Sequence, residues 1–172
     1  MLAPLEPRRL LDHAVRLARP QDLGPVSPEW LRRSTSASYY AVFHGFAVAM
    51  ADQVAPGSPP GERYRLCRAL DHGRVADVCR WLTGAASGKE HVRPIVARLR
   101  ANRMLADLAR AFLLLQQARH SADYDHLADV DEGQTLSHAD EATRALDLLE
   151  ALAPTPDGQE FLALVALHTA LR

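Results

Sequence analysis

The stretch Ser34–Ala51, with the sequence STSASYYAVFHGFAVAMA, decides the fold because it contains no Asp, Glu, Lys or Arg. Small side chains recur in it every four residues, at Ala37, Ala41, Gly45 and Ala49. Residues four apart share one face of an α-helix, so this spacing predicts a helix on which a second helix can pack closely. Large side chains flank the small ones and supply bulk for a core: Tyr39, Tyr40, Phe43, Phe46 and Met50.

A stretch of this length without charge also raises the question of a membrane span. It is rich in Ser, however, and it carries Thr35, two Tyr and His44. These polar groups favour a helix buried in a helical bundle over a helix that faces lipid. We therefore expect no membrane association.

Helix signals continue on both sides of this stretch. Ser27-Pro28-Glu29 is typical of a helix start, and the helix it opens is predicted to run to about Val54, before the loop Pro56–Gly61. Further helices are predicted at about 5–19, at 62–83 and from Val92 or Pro94 to about Tyr124. An acidic loop at Asp129–Gln134 is predicted next, followed by a helix at Ser137–Ala153, where Ser137 and Asp140 are spaced like a capping box. Thr155-Pro156-Asp157 is predicted to open a short last helix.

These segments predict an all-α fold, an antiparallel up-down helical bundle of four to five main helices with a short C-terminal helix. One domain is expected over residues 1–172, with its core at about 5–153 and an accessory helix within 154–172. The apolar segment Phe161–Leu171 either docks on the bundle or extends an oligomer interface, and the sequence leaves both open.

Composition narrows the class of protein. The chain has 172 residues and a net charge of −1, so no global basic field indicates nucleic-acid binding. Cys67 and Cys79 would lie too far apart on one helix to form a disulfide, and free thiols fit a reducing cytoplasm. The N-terminal sequence lacks the apolar core of a signal peptide. We expect a cytoplasmic protein.

The stretch Arg119-His120-Ser121-Ala122-Asp123-Tyr124-Asp125-His126 carries the chemistry. Arg119 and His126 would lie on one face if a continuous helix carried both, because seven residues are close to two turns. Arg binds phosphate oxygens bidentately, and His exchanges protons near neutral pH. An alternative is a surface ion pair between Arg119 and Asp123, which are spaced i, i+4.

Three motifs resemble those of HEPN domains, which are small helical domains. Arg33–His44 resembles the signature helix, with its small polar residues before Tyr-Tyr-Ala-x-Phe-His. Asp71-His72-Gly73-Arg74-Val75 resembles the His-Gly segment that opens a later helix in one prokaryotic branch. Ala118–Tyr124 resembles the Arg-x-x-Ala-Asp-Tyr end of that branch's long helix. The motifs occur in the expected order, from about Pro28 to His126.

The resemblance implies a metal-independent endoribonuclease, because many HEPN domains are such enzymes and use Arg, a polar residue and a His after a short gap. By this resemblance Arg119 binds phosphate, His120 supports it and His126 is the acid/base. It also implies a homodimer with both sites facing one cleft. A 2′-hydroxyl would attack the adjacent phosphorus, leaving a 2′,3′-cyclic phosphate and a 5′-hydroxyl, so DNA would not be cut.

In a toxic subgroup of HEPN ribonucleases, a partner nucleotidyltransferase silences the enzyme by modifying a Tyr two positions after the catalytic His. Here Tyr124 lies two positions before His126, and Asp123 and Tyr124 are candidates for supporting or modified residues. The same branch includes members without the ribonuclease His. The resemblance therefore also permits a non-catalytic subunit that binds a nucleotidyltransferase partner or a nucleotide.

Other patterns are weaker. Arg103 and Arg110, with Arg93, Arg98 and Arg100, are predicted along the helix that leads to the motif, where they either bind an RNA backbone or form a solvated face. No His-x3-His or Cys-x2-Cys pattern exists, so we expect neither a metal site nor a cofactor. A set of His120, His126, Asp123 and Asp125 is the one imaginable ligand group.

The sequence thus favours a HEPN-type endoribonuclease that acts on RNA as the toxin or effector of a prokaryotic toxin–antitoxin or defence system, with a nucleotidyltransferase-type antitoxin as a possible partner. The alternative is the non-catalytic HEPN subunit. A plain dimerisation scaffold is a third interpretation, suggested by the small residues from Ala37 to Ala49.

Overall fold

The computed structural model describes residues 6–19, 26–125 and 127–167, and within these ranges the chain is helical without a β-strand. The all-α prediction is confirmed. A 3-10 turn at Glu90–Val92 precedes α5, and the helices are α1 (Pro7–Ala18), α2 (Pro28–Val54), α3 (Pro60–Ala69), α4 (His72–Thr83), α5 (Arg93–Leu99), α6 (Arg103–Tyr124), α7 (Glu132–Leu152) and α8 (Pro156–Leu167).

Helix α2 has the bounds that the sequence predicts. The Ser27 hydroxyl accepts a hydrogen bond from the backbone N–H of Trp30, and Pro28 occupies the first turn, where a missing N–H costs nothing. The helix ends at Val54, just before the Pro56–Gly61 segment. Most of its uncharged stretch is buried, and it packs against α1, α6 and α7.

The single helix predicted at 62–83 is wrong, because it is two helices, α3 and α4. Leu70 is extended, with φ −74° and ψ 131°, and Asp71 caps α4. The Asp71 carboxylate accepts hydrogen bonds from the N–H groups of Gly73 and Arg74, at 2.8 and 3.3 Å. A strong N-cap residue inside an apolar periodic pattern starts a new helix there.

The long helix predicted from Val92 or Pro94 to Tyr124 is also interrupted. Asn102 separates α5 from α6 and caps α6 by accepting hydrogen bonds from the N–H groups of Met104 and Leu105. The predicted acidic loop is present but ends at Asp131 instead of Gln134, and the predicted helix start at Ser137 is wrong. Asp131 accepts from the N–H of Gln134, so α7 begins at Glu132 and Ser137 lies inside it.

Aromatic rings form the centre of one hydrophobic core. Phe46 of α2 meets Phe112 of α6 and Phe161 of α8 edge to face, with ring centroids 5.4 and 5.7 Å apart. Phe161 is buried, and Val165 lies in the same core. Helix α8 therefore docks on the other helices through these residues, while residues 168–171 of the apolar segment lie outside the described ones.

The small residues of α2 pack against α7 as their spacing predicts. A Cβ placed on Gly45 would lie 2.7 Å from Cδ2 of Leu146 and 3.2 Å from Cδ2 of Leu149. The first contact is closer than real Cβ atoms show and the second is tight, so a side chain at position 45 would displace the ends of these two leucines of α7. Among the described residues, no helix is long and apolar enough to cross a membrane.

Candidate functional site

Arg119 lies near the end of α6 and is held by two tyrosines. Its Nη2 donates to the hydroxyl of Tyr40 on α2, at 3.0 Å, and to the hydroxyl of Tyr124, at 3.4 Å. The guanidinium also lies over both rings, with Cζ 5.5 Å from the Tyr40 centroid and 5.2 Å from the Tyr124 centroid. Its side chain is 23% exposed, so solvent still reaches part of it.

The predicted ion pair within α6 is present. Nε of Arg119 lies 2.6 Å from Oδ2 of Asp123, although its N–H does not point at that oxygen, so the contact is ionic and not a directed hydrogen bond. The Ser36 hydroxyl of α2 donates to the other carboxylate oxygen of Asp123. Burial disfavours the charge of Arg119, but Tyr40, Asp123 and Tyr124 favour it, and its pKa is raised.

His120 and Tyr124 form the outer side of this cluster. Their ring centroids are 5.1 Å apart, as expected for residues at i, i+4 on one helix. His120 is exposed, and Tyr124 is 60% exposed. Four of the predicted site residues, Arg119, His120, Asp123 and Tyr124, therefore lie together at the end of α6.

His126, the predicted acid/base, lies outside the described residues. Helix α6 ends at Tyr124, and its C-cap residue Asp125 is extended, with φ −95° and ψ 100°. A continuous helix carrying both Arg119 and position 126 is therefore ruled out, because the exposed Asp-Tyr-Asp end of α6 buries too little to extend it. The geometric argument from the seven-residue spacing fails, and the proposal of His126 depends on the HEPN resemblance.

Sequence reasoning missed Arg32, which is part of the site's frame. Arg32 lies one turn into α2 and donates to the backbone carbonyls of Ala122, Asp125 and Ala128. It belongs to a row of side chains spaced four apart on α2, which we call the polar row: Arg32, Ser36, Tyr40 and His44. Three of these four contact the end of α6. Their four-residue spacing was the signal that could have revealed the row.

Behind the polar row lies a cluster of aromatic rings. His72, at the start of α4, stacks on Phe43 with centroids 3.6 Å apart, and its Nδ1 shares a hydrogen bond of 2.7 Å with the Tyr39 hydroxyl. Burial raises the pKa of Tyr39 to about 12. By these contacts His72 is a hydrogen-bonded packing residue.

The two histidines of this cluster resist protonation. Burial lowers the pKa of His44, whose ring stacks on Tyr40. Burial and the charge of Arg119 lower the pKa of His72, and Asp71 opposes this effect. At neutral pH both rings are uncharged, so they add no positive charge beside Arg119.

The predicted row of arginines does not form one surface. The break at Asn102 places three of these arginines before α6. Arg93 donates to the Gly88 carbonyl, and Arg98 pairs with the carboxylates of Asp157 and Glu160. Arg100 donates to the carbonyls of Trp81 and Ala86. On α6, Arg110 pairs with Asp107, and Arg103 is exposed in the first turn. Only Arg103 and Arg110 share a helix with Arg119.

A separate groove of about 700 Å³ lies where α1, α2 and α7 meet. Its wall is mostly apolar and includes Gly45, Ala49 and Leu146, while Arg8 at its edge is paired with Asp147 and Glu150. It contains none of the predicted site residues. Within the described ranges, to which His126 does not belong, no three His, Cys, Asp or Glu side chains are grouped to hold a metal.

Comparison with known proteins adds no relative to this picture. No family model matches the chain, and neither the curated proteins nor the solved structures contain a match. The three short motifs of the HEPN resemblance and the geometry around Arg119 are therefore the basis on which a function is inferred.

Proposed function

We propose that this chain is a metal-independent endoribonuclease of the HEPN type, in which Arg119 binds the scissile phosphate. The supporting observation is the arrangement of Arg119, which is fixed by Tyr40, Asp123 and Tyr124 and is still open to solvent on one side. The two hydrogen bonds that Arg119 donates come from its Nη2, and the proposal assigns the phosphate to the Nη1 edge. A guanidinium that is oriented before substrate binds loses little entropy when it grips a phosphate.

In the proposed reaction the ribose 2′-oxygen bonds to phosphorus and the bond from phosphorus to the 5′-oxygen breaks. His126 takes the 2′-proton, and a proton is returned to the leaving 5′-oxygen. Arg119 stabilises the negative charge that accumulates on the phosphorane oxygens. His120, which lies beside Tyr124, contacts the RNA backbone next to the scissile phosphate. The products are a 2′,3′-cyclic phosphate and a 5′-hydroxyl.

The ion pair to Asp123 has a defined place in this proposal. Asp123 holds Arg119 by Nε, and Ser36 holds Asp123, so the carboxylate orients the guanidinium without covering Nη1. The HEPN resemblance adds a two-fold dimer with two such sites facing one cleft. It also adds a role as the toxin of a toxin–antitoxin or defence pair, with a nucleotidyltransferase as the antitoxin.

Purified protein and end-labelled single-stranded RNA in EDTA provide the test. We expect cleavage of RNA and not of DNA of the same sequence. Arg119→Lys, which loses the planar fork, should lower the rate by about 100-fold or more, and His126→Ala by a similar or larger factor. Arg144→Lys is the matched control, because Arg144 is an exposed arginine paired within its own helix.

Two results would contradict this proposal, the first its ribonuclease activity and the second its assigned acid/base. One is a folded wild-type protein that leaves a varied panel of RNAs intact and whose expression neither arrests bacterial growth nor fragments cellular RNA. The other is a His126→Ala protein with normal activity, which would remove the assigned acid/base. Loss of cleavage in Arg144→Lys would show that replacing any surface arginine, and not the Arg119 site in particular, explains the mutants.

A second candidate is the non-catalytic HEPN subunit that binds a nucleotidyltransferase or a nucleotide. It is favoured by the end of α6 at Tyr124 and by the charge of Asp123 that already neutralises Arg119. This candidate predicts intact RNA with wild-type protein. It also predicts nucleotide binding, by calorimetry, that Arg119→Ala weakens and Arg144→Ala does not.

A further inference from the structure

Arg32 joins α2 to both sides of position 126. Its Nη1 donates to the carbonyl oxygens of Ala122 and Asp125, at 2.9 and 2.8 Å, and its Nη2 donates to that of Ala128, at 2.6 Å. These acceptors lie 90 to 96 residues away in sequence. Two of them precede position 126 in the chain and one follows it.

The end of α6 needs such a donor. The last carbonyls of a helix have no partner within the helix, and they carry the negative end of its dipole. A guanidinium satisfies several carbonyls at once because its N–H groups point outward in one plane. Lysine cannot reproduce this, because its ammonium is compact and hydrated and lacks the fixed fork.

The described residues of the turn that follows α6 are otherwise held by local contacts. The side chain of Leu127 is 95% exposed, so burial of this apolar residue does not fix the turn. Its other hydrogen bonds are local, from Leu127 N–H to the Asp125 carboxylate and from Ala128 N–H to the Asp125 carbonyl. The contacts to Arg32 are therefore the long-range bonds that tie this turn to α2.

Arg32 also lies in line with the residues that fix Arg119. Along the polar row, Arg32 binds the carbonyls, Ser36 binds Asp123 and Tyr40 binds Arg119. One face of α2 thus holds both the arginine and the turn that follows it. The relative position of the two is set by one rigid helix.

We propose that Arg32 is a positioning residue, which holds the carbonyls of Asp125 and Ala128 beside the end of α6 that carries Arg119. The inference rests on the proposed function, in which the acid/base is the residue that follows Asp125 in the chain. A misplacement of about 1 Å in such a group can lower a rate by about 100-fold. Substrate binding, which Arg119 provides, is unaffected by the same displacement.

The test compares Arg32→Lys and Arg32→Gln with Arg33→Lys. Arg33 is the next residue on α2 and is exposed, which makes it the matched control. Hydrogen exchange, followed by mass spectrometry on peptides that cover residues 123–130, reports opening of the turn. Steady-state cleavage of RNA gives kcat and KM separately, and circular dichroism verifies the helical fold of each variant.

We expect both Arg32 variants to exchange the amides of the turn about tenfold faster or more, because a hydrogen bond to a charged group is worth about a factor of ten or more. Exchange in the core of α2 and α7 should stay unchanged. We also expect kcat to fall by about tenfold or more with KM within about threefold, since a displaced catalytic group affects the chemical step. Arg33→Lys should change neither quantity.

Each part of the inference can fail separately. Unchanged exchange in the Arg32 variants would overturn the tether. Faster exchange with normal kcat would leave Arg32 as a helix cap and overturn the positioning role, as would a rise in KM alone. If wild-type protein does not cleave RNA, the proposed function fails and the positioning role fails with it, whereas the exchange data still decide whether Arg32 holds the turn.

Discussion

Two rows of residues on α2 have the same four-residue spacing and opposite character. The small row consists of Ala37, Ala41, Gly45 and Ala49, and it faces α7 at the Gly45 contact. The polar row, which begins at Arg32, is offset from it by one residue and faces the end of α6. The small row is mostly buried, whereas every residue of the polar row is half-buried.

The two rows have different roles on one helix: the small row stabilises the fold, and the polar row orients the residues of the candidate site. The small row contributes to stability because its side chains are small or absent, so α7 can approach closely at Gly45 and pack tightly in the core. The polar row contributes directed bonds that fix the orientation of Arg119 and of the turn after α6. The groove beside the small row has a volume of about 700 Å³, yet the charged and titratable groups of the candidate site lie along the polar row. Changes in the two rows should therefore have different readouts.

The largest effect is expected from filling the small row with Gly45→Leu. The new Cβ would lie 2.7 Å from Cδ2 of Leu146 and 3.2 Å from Cδ2 of Leu149, so both leucine side chains would have to move. We expect the free energy of unfolding to fall by about 2–3 kcal/mol, which is the usual cost of overpacking. The midpoint of thermal unfolding should then fall on the order of 5–10 °C.

The control for this change is Gly61→Leu on α3, where a Cβ meets nothing within 4 Å. Gly61→Leu should leave the thermal midpoint nearly unchanged. Gly45→Leu, measured well below its midpoint, should cleave RNA normally. A loss of cleavage with little loss of stability would contradict the separation of the two rows.

The next effect is expected from Tyr40→Phe in the polar row. The change removes the hydroxyl that accepts from Arg119 at 3.0 Å and keeps the ring under the guanidinium. We expect a loss of stability of about 1 kcal/mol and a fall in RNA cleavage of roughly tenfold, because Arg119 loses one of the groups that orient it. Tyr64→Phe, at an exposed tyrosine of α3, should change neither, and equal losses in both variants would contradict the role given to Tyr40.

The structure of α2 could be predicted from sequence because its signals are local. Ser27 and Pro28 mark its start, the Pro-Gly segment after Val54 marks its end, and the spacing of the small row predicts close packing. The breaks at Asp71 and Asn102 were missed because periodicity continues across them, although each residue is a good N-cap. A good N-cap residue inside a periodic pattern therefore indicates a helix boundary even where the periodicity continues.

The frame of the site could be predicted only in part. The grouping of Arg119, His120, Asp123 and Tyr124 follows from helical spacing, and the structure contains it. Arg32 could not be found in this way, because its acceptors are backbone carbonyls, which any sequence supplies, and they become available only where α6 ends. Tertiary contacts of this kind leave no pattern in the residues that accept them.

A smaller effect is expected from Ser36→Ala, which removes the hydroxyl that donates to Asp123. Asp123 would still pair with Arg119, so we expect a loss of about 0.5–1 kcal/mol in stability and a severalfold fall in RNA cleavage. Ser58→Ala is the control, because its hydroxyl also donates to one acceptor, the Ala55 carbonyl, far from Arg119. Equal cleavage by the two variants would show that Asp123 does not need Ser36 to orient Arg119.

The smallest effect concerns pH. Burial lowers the pKa of His44 and of His72 in the folded protein, and Arg119 lowers that of His72 further. As pH falls through about 6.5, the unfolded chain therefore takes up protons that the folded chain resists. The unfolded state then binds more protons, so the free energy of unfolding should be lower at pH of about 5.5 than at about 7.5.

Both rings are half-exposed, so solvent weakens this dependence, and His138 of α7, whose pKa is also lowered by burial, contributes to it. Urea unfolding at the two pH values measures the effect. The double variant His44→Gln/His72→Gln should lose less stability on acidification than wild type, and His13→Gln, at an exposed histidine, controls for the removal of a histidine. If the double variant loses as much as wild type, protons enter elsewhere, and the polar row with its rings adds nothing to the acid sensitivity of the fold.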